Sequence, residues 1–414
     1  MALEKAPRGP RSAARIIRWA VLGAVLATVT VLAVLHQKLG VGKPVGVDAL
    51  CPFGGLETLG SWLSDGLLLK RVALSSLLLL GASVGTALVF RRAFCGRICA
   101  LGFLQEAFGG LGRKLFRRRL TMPAWLDRPA RYLKYVVLVV VLWLTWQAAD
   151  LVIRPYDPWA AYNHLSSAEV FTEFGIGLAI LGVSLAGSVL YDRFFCKYAC
   201  PMGAFLGLIS RVSIFKIRRN AETCIDCKLC DKACPVNVVV STAESVTSPE
   251  CIDCGECVAA CPVKDTLAAG TRSGFTLSPV ATAIASVGTF ALLVAIATGA
   301  GLFDWTVETL ADAREDAARE AGVAVSDLPF DTSLIKGSTT MSEVVDATGI
   351  PTDVFTAVYG IPSAEMDGQL KNLKDTYGCS PGEVRAFVDY YLADPAGALS
   401  YVPGQFHDEE TEEH

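Results

Sequence analysis

Long apolar runs alternate with short charged ones along this chain. Uncharged stretches at Ile16–Leu35, Val72–Phe90, Val136–Ile153, Phe174–Leu190 and Leu277–Leu302 approach the roughly 17–25 residues that cross a bilayer as a helix, so the pattern predicts five spans. Arginines precede the first run, which gives it a signal-peptide reading too. That run is long for such a segment, and no small-residue cleavage site precedes the polar sequence that follows.

Composition supports the membrane reading: of 414 residues, 52% are hydrophobic and only 19% charged. Charge then orients the spans. Arg8, Arg11, Arg15 and Arg18 precede the first, Arg91, Arg92 and "RKLFRRRL" lie between the second and third, and Lys216, Arg218 and Arg219 follow the fourth. If the spans alternate, all these groups fall on one side, which the positive-inside rule makes the cytoplasmic face of an inner membrane. Residues 301–414 hold 22 of the 41 acidic residues and 6 of the 37 basic ones. The tail is therefore an acidic, extracytoplasmic domain, and nucleic acid is excluded as a partner because phosphate binding needs positive charge.

Residues 45–110 and 150–210 align as an internal repeat. "CPFGG" at Cys51 matches "DPWAA" at Asp157, and "RRAFCGRICALGF" matches "DRFFCKYACPMGA". Both copies enter and leave on the same sides, so the repeat is parallel, about an axis along the membrane normal. Cys95 and Cys99 then correspond to Cys196 and Cys200. An i, i+4 spacing puts each pair on one side of a helix, and two such pairs could supply four thiolates to a soft metal or an iron–sulfur site. Packing as small hydrophobes and reversible dithiol chemistry are the other readings.

Between the fourth and fifth runs stand "CIDCKLCDKACP" at Cys224 and "CIDCGECVAACP" at Cys251. Each has the spacing Cys-x2-Cys-x2-Cys-x3-Cys-Pro of a bacterial two-cluster ferredoxin, in which the fourth cysteine of one run ligates the other cluster. This assigns Cys224, Cys227, Cys230 and Cys261 to one [4Fe–4S] cluster and Cys251, Cys254, Cys257 and Cys234 to the other. Zinc also uses Cys-x2-Cys pairs, but it does not need four cysteines per run, twice, each followed by proline. Disulfides do not suit a cytoplasmic segment.

The paired runs after four spans, with "FCGRIC" and "FCKYACPMG" at helix ends, resemble the NapH/NosR-type membrane iron–sulfur (polyferredoxin) proteins and, more distantly, the CcoG/RdxA assembly factors. The resemblance covers roughly residues 15–300. It carries over the eight cluster cysteines and the pair Cys196–Cys200 with Pro201. In the first copy Ala100 stands where proline is expected, which puts the equivalence of the two pairs in question. The resemblance implies electron transfer from quinol, or across the membrane to respiratory enzymes or sibling subunits, or a part in their maturation.

On the predicted outer side, Cys51, Glu57, Tyr156, Asp157 and His164 are polar groups that a quinol site could use as proton acceptors, although Trp159 and Tyr162 equally suit an interfacial aromatic belt. His36 and His164 do not recur as the paired histidines that haem b requires. No Gly-x-Gly-x-x-Gly or Walker loop is present, and "KGSTTM" at Lys336 leads into a helical pattern rather than a flavin-attachment site. In the tail, "MSEVVDATGIPTDVF" and "LKNLKDTYGCSPGEV" align with Gly349 over Gly378, predicting two helix-turn-helix units that suit docking or packing, with Cys379 as a core residue.

These readings combine into a mainly α fold. Residues 1–215 form a four-helix membrane domain, 216–272 an inserted α+β two-[4Fe–4S] ferredoxin module and 273–303 a fifth transmembrane helix. Residues 304–400 form a small all-α domain, and 401–414 a disordered acidic end. The expected function is electron transfer between a quinone pool, two clusters and a redox partner. The alternative is a redox-sensing or metal-reducing assembly factor for a respiratory metalloenzyme.

Overall fold

The chain is described by a computed structural model over residues 10–38, 44, 46, 51–65, 71–148, 153–167, 169–303, 305–306, 309–335, 337 and 339–403. The contacts divide it into two units, residues 1–37 with 45–304 and residues 38–44 with 305–414.

The first unit begins with α1 (Pro10–Lys38), α2 (Pro52–Asp65), α3 (Arg71–Phe90), α4 (Ala93–Arg97), α5 (Ala100–Phe116) and α6 (Ala124–Ala148). It continues with α7 (Pro158–Asn163), α8 (Glu169–Thr172), α9 (Gly175–Leu190), α10 (Phe194–Tyr198) and α11 (Pro201–Ile209). Among the described residues, three helices are long and apolar enough to cross a bilayer, at Ala13–Lys38, Ala124–Gln147 and Pro279–Gly299. The second and fourth expected spans are shorter apolar helices, Leu74–Phe90 and Gly175–Leu190. Large apolar side chains such as Val139, Trp143, Val183, Leu292 and Ile296 face outward, as a lipid-facing surface would.

Two expectations change. The third apolar run reads as a span over Val136–Ile153, but α6 starts twelve residues earlier. Hydropathy rejects that first stretch for its charges. They are accommodated as pairs: Arg131 reaches Asp127 one turn back at 2.7 Å, and Lys134 is bonded to Glu250. The sequence after Cys51, expected to be an outer loop, is instead α2 packed along α3. A Cβ on Gly55 would stand 2.3 Å from the Ser76 carbonyl oxygen, so the glycine permits this approach.

The cysteine-rich insertion contains β1 (Lys216–Arg219), α12 (Leu229–Ala233), α13 (Glu256–Ala260), β2 (Leu267–Gly270) and β3 (Thr276–Leu277). They form a three-stranded antiparallel sheet in the order β1-β2-β3, with Ile217 opposite Ala269 and Ala269 opposite Leu277. The expected α+β module is present, but β3 carries it past 272, to Leu277. Its next residue, Ser278, caps α14 (Pro279–Gly299), its side chain accepting from Ala281 N.

The second unit is helical: α15 (Leu310–Ala321), α16 (Met341–Thr348), α17 (Thr352–Tyr359), α18 (Leu370–Tyr377) and α19 (Pro381–Ala393). Gly349 and Gly378 end α16 and α18 at φ 72° and 70°, the left-handed conformation that favours glycine. Met341, Val344, Ile350 and Phe355 share one core with Leu370, Leu373, Cys379 and Val384, their partners in the two-unit alignment. Cys379 is a core residue, as expected. The disordered end expected at 401–414 starts later: Tyr401 packs against this core and donates to Glu383 Oε1 at 3.0 Å, while residues 404–414, and Lys336 at the start of "KGSTTM", lie outside the described residues.

Candidate cluster-binding centre

The two cysteine runs fold alike. Asp226 and Asp253 lie at φ 51° and 50°, and Lys228 and Gly255 at 56° and 76°, the same loop positions in each run. Left-handed residues spaced this way turn successive backbone N–H groups inward, making the anion-binding concavity used at many iron–sulfur sites. Each loop then enters a five-residue helix, α12 or α13. Cys234 and Cys261 end those helices in extended conformation, at ψ 117° and 122°, as the following prolines favour.

The quartets assemble as their spacing requires. One cavity is lined by Cys224, Cys227, Cys230 and Cys261. A second is lined by Cys234, Cys251, Cys254 and Cys257, within an apolar wall of Ile217, Val236, Val238, Val240 and Val246. Among the described residues no three His, Cys, Asp or Glu side chains converge tightly enough for one metal ion. The thiols instead surround a volume, the arrangement that a cube-shaped cluster needs. Backbone donors also reach the sulfurs, as with Val238 N and Cys234 Sγ at 3.3 Å. Burial pushes the Cys254 thiol up to about 12, so binding of a cluster there must displace its proton.

The two cavities differ in exposure. Cys227 is exposed, whereas Cys234 and Cys257 are buried. The first quartet therefore faces solvent and the second lies inside, against the membrane helices.

The contact between module and helices is a set of buried cations, of which the sequence assigns Arg18, Arg91 and Arg92 to membrane orientation. Arg91 donates to the carbonyls of Val246 at 2.7 Å and of Ser248. Arg92 donates to the Pro249 carbonyl at 3.1 Å, and Arg97 to that of Asp253 at 2.9 Å. Arg18 in α1 donates to the Gly96 carbonyl at 2.8 Å and pairs with Glu106 and Glu256. Glu106 also receives Arg193, at 2.8 Å. Burial disfavours its charge, but Arg193 and Arg18 outweigh this and hold its carboxyl down at about 2. Gly96 completes the contact: a Cβ there would stand 2.0 Å from the Ile252 carbonyl oxygen and 3.4 Å from Cys254 N. The one available sequence signal is position, and not for Arg18: Arg91, Arg92 and Arg193 immediately precede the Cys-x-x-x-Cys pairs and Arg97 lies within the first.

Those pairs are not on continuous helices, contrary to the i, i+4 expectation. Cys95 lies in α4 and Cys99 caps α5; Cys196 lies in α10 and Cys200 caps α11. The capping cysteines are extended, at ψ 115° and 112°, which breaks the helix between the two thiols. Ala100 supports the same break as Pro201, so the missing proline does not separate the two halves locally. The Cys200 sulfur accepts from Gly203 N and that of Cys196 from Gln105 Nε2, at 3.3 and 3.2 Å. All four thiols come within electrostatic reach of one another.

The other polar candidates are divided among several environments. Buried Glu57 accepts from Thr145 Oγ1 at 3.2 Å and Ile153 N at 3.3 Å. Asp157 caps α7, and Tyr156 is exposed. His164 stacks on Phe174 at 4.2 Å with Nδ1 3.0 Å from Gln37 Nε2, and Trp159 stacks on Tyr162 at 5.3 Å. Cys51 packs against the main core.

Two family models match the chain. A 4Fe-4S dicluster domain matches residues 216–262, and a 4Fe-4S binding domain matches residues 72–119 and again 174–220. The YccM protein of Escherichia coli K12 is 35% identical over 213 residues, covering 51% of this chain and 59% of YccM. The uncharacterised protein MJ0750 of Methanocaldococcus jannaschii is 33% identical over 194 residues, covering 46% of this chain and 75% of that protein. The ferredoxin-type protein NapH of Haemophilus influenzae is 27% identical over 206 residues, covering 44% and 69%. This chain thus spans a little over half of YccM's length. No solved structure matches it.

Proposed function

The chain belongs to the NapH/NosR-type polyferredoxin family of iron–sulfur electron-transfer proteins, and from that premise we propose that it is a membrane wire between a quinone pool and a redox partner. The observation that carries this reading is the graded placement of the cysteine quartets. One opens to solvent and the other is buried against the membrane helices through a shell of arginines. One-electron storage and transfer is the chemistry that [4Fe–4S] clusters supply. The chain's part is to hold them at fixed depth, exclude water from the inner one and present the outer one to a partner.

In this reading the helices at 71–90 and 175–190 also cross the bilayer, giving five crossings. The segments 45–110 and 150–210 are copies about an axis along the membrane normal. The module lies in the cytoplasm and the acidic tail on the opposite face. The groups around Glu57 and His164 are where a quinol would lose its protons.

The test is anaerobic purification of the full chain in detergent. The module should contain about eight iron and eight sulfide and give the EPR signals of two reduced [4Fe–4S] clusters. A menaquinol analogue should reduce them. Intact clusters that no quinol reduces would remove the quinone part, and material with zinc or no metal in the module would remove the whole reading.

A further inference from the structure

We propose that Cys95, Cys99, Cys196 and Cys200 jointly hold one further thiolate-ligated iron–sulfur cluster, astride the two matched segments, with Arg92 and Arg193 crossed beside it as counter-charges. The proposal rests on the electron-carrier reading above and adds a site to it. Residues 72–119 and 174–220 each contain only two cysteines, half of what a four-thiolate cluster needs. The fold brings the two halves together, so the site exists only as a shared one.

The arginines make the arrangement specific. Arg92 and Arg193 occupy the same position in the two segments, three residues before the first cysteine. Arg193 crosses over and donates through Nη1 to the Cys95 carbonyl at 2.7 Å. It fits because position 102 is glycine: a Cβ there would stand 2.9 Å from Nη1. Arg92 crosses in the opposite sense to Gly203, the counterpart of Gly102, where a Cβ would stand 2.7 Å from Nη2 and 3.3 Å from the Cys196 carbonyl oxygen. Each segment thus sends one guanidinium into a gap left by a glycine in the other, beside the carbonyl of its first thiol residue.

Charge then indicates what the thiols hold. Arg18, Arg92, Arg193 and Lys134 are all buried here, and the buried carboxylates facing them are Glu106 and Glu250, with Glu256 at the rim. Arg92 is 3.9 Å from Glu250, which Lys134 already engages, and its buried Nε has no hydrogen-bond partner. A buried cation is costly unless paired. Arg18 and Arg193 also lie within electrostatic reach of Cys254 in the inner quartet, so a cluster on these four thiolates would be a second anion sharing the same buried cations, with Arg92 and its unpartnered Nε on its side. The site also abuts the inner quartet, because Gly96, between Cys95 and Cys99, rests on the backbone of Ile252.

The experiment compares full-length wild type with Cys99→Ser, Cys200→Ser and the double variant, all purified without air, by iron and sulfide analysis and EPR. Each single variant should lose the same about four iron and four sulfide as the double, because one cluster needs both halves. Unchanged ferredoxin signals report that the variants have folded. Arg92→Gln should move the lost signal's midpoint potential to more negative values, and Arg92→Lys should restore part of the shift; a merely structural arginine would not move it. Equal iron in all four proteins overturns the proposal, as do losses that add between the halves, or two disulfides found by alkylation of air-free wild type. Any of these with normal ferredoxin signals leaves the wire reading standing, while absent ferredoxin signals in wild type would sink that reading instead.

Discussion

Glu106 shows how much can depend on one side chain at the contact between module and membrane helices. It is buried and accepts from both Arg18 and Arg193, so Glu106→Gln takes from buried Arg193 its carboxylate partner and leaves Arg18 with Glu256 alone. The expected cost is about 3–5 kcal/mol, the range for breaking a buried pair by removing one partner, read as loosened docking in hydrogen exchange over α5 and the 248–256 loop. The pH dependence follows from the sign of the shift. A carboxylate held at about 2 contributes stability fully above the ordinary unfolded value near 4.3 and loses it only as pH falls toward about 2. The variant's defect should therefore be equal at pH 6 and pH 8. A defect that changes between those values would show that another group supplies the countercharge.

At the scale of elements, local rules explain the tail better than the membrane part. Thr340 and Glu343 form a reciprocal capping box at the start of α16, with Thr340 N to Glu343 Oε2 at 2.7 Å and Glu343 N to Thr340 Oγ1 at 3.2 Å. Thr340→Ala should cost about 1 kcal/mol and speed amide exchange in α16, with α14 unaffected. The cap, the following apolar positions and the closing Gly349 all lie within ten residues, so the sequence pattern reveals them. The break between Cys95 and Cys99 had no such local signal. An i, i+4 pair reads as one helix face, and only the extended backbone at Cys99, shared with Cys200, shows two helices meeting at the thiols.

For the whole molecule, the ferredoxin module is the part least able to hold itself together. Its strands have four, four and two residues and its helices five each, too little regular structure to bury a core of its own. Bound clusters then supply much of its folding energy, as metals do in other small domains. Oxidative removal of iron, followed by limited proteolysis of the intact chain, should cut first within 220–266 while α6 and α14 stay protected. Equal resistance with and without iron would show that the arginine contacts alone order the module.

The spacing of eight cysteines and the length of the apolar runs were enough to identify cluster loops and a membrane protein, because both depend on neighbours within about twenty residues. Glycine positions likewise located the helix ends of the tail. What Arg18, Arg91, Arg92, Arg97 and Arg193 do was decided by tertiary structure. A cation after an apolar run reads the same in sequence whether it faces lipid headgroups or a buried carbonyl. Arg91 and Val246 are 155 residues apart, and only the folded chain brings them together. Likewise, two cysteine pairs about a hundred residues apart say nothing of each other until the helices pack, and that packing decides whether four thiols are four small hydrophobes or one site.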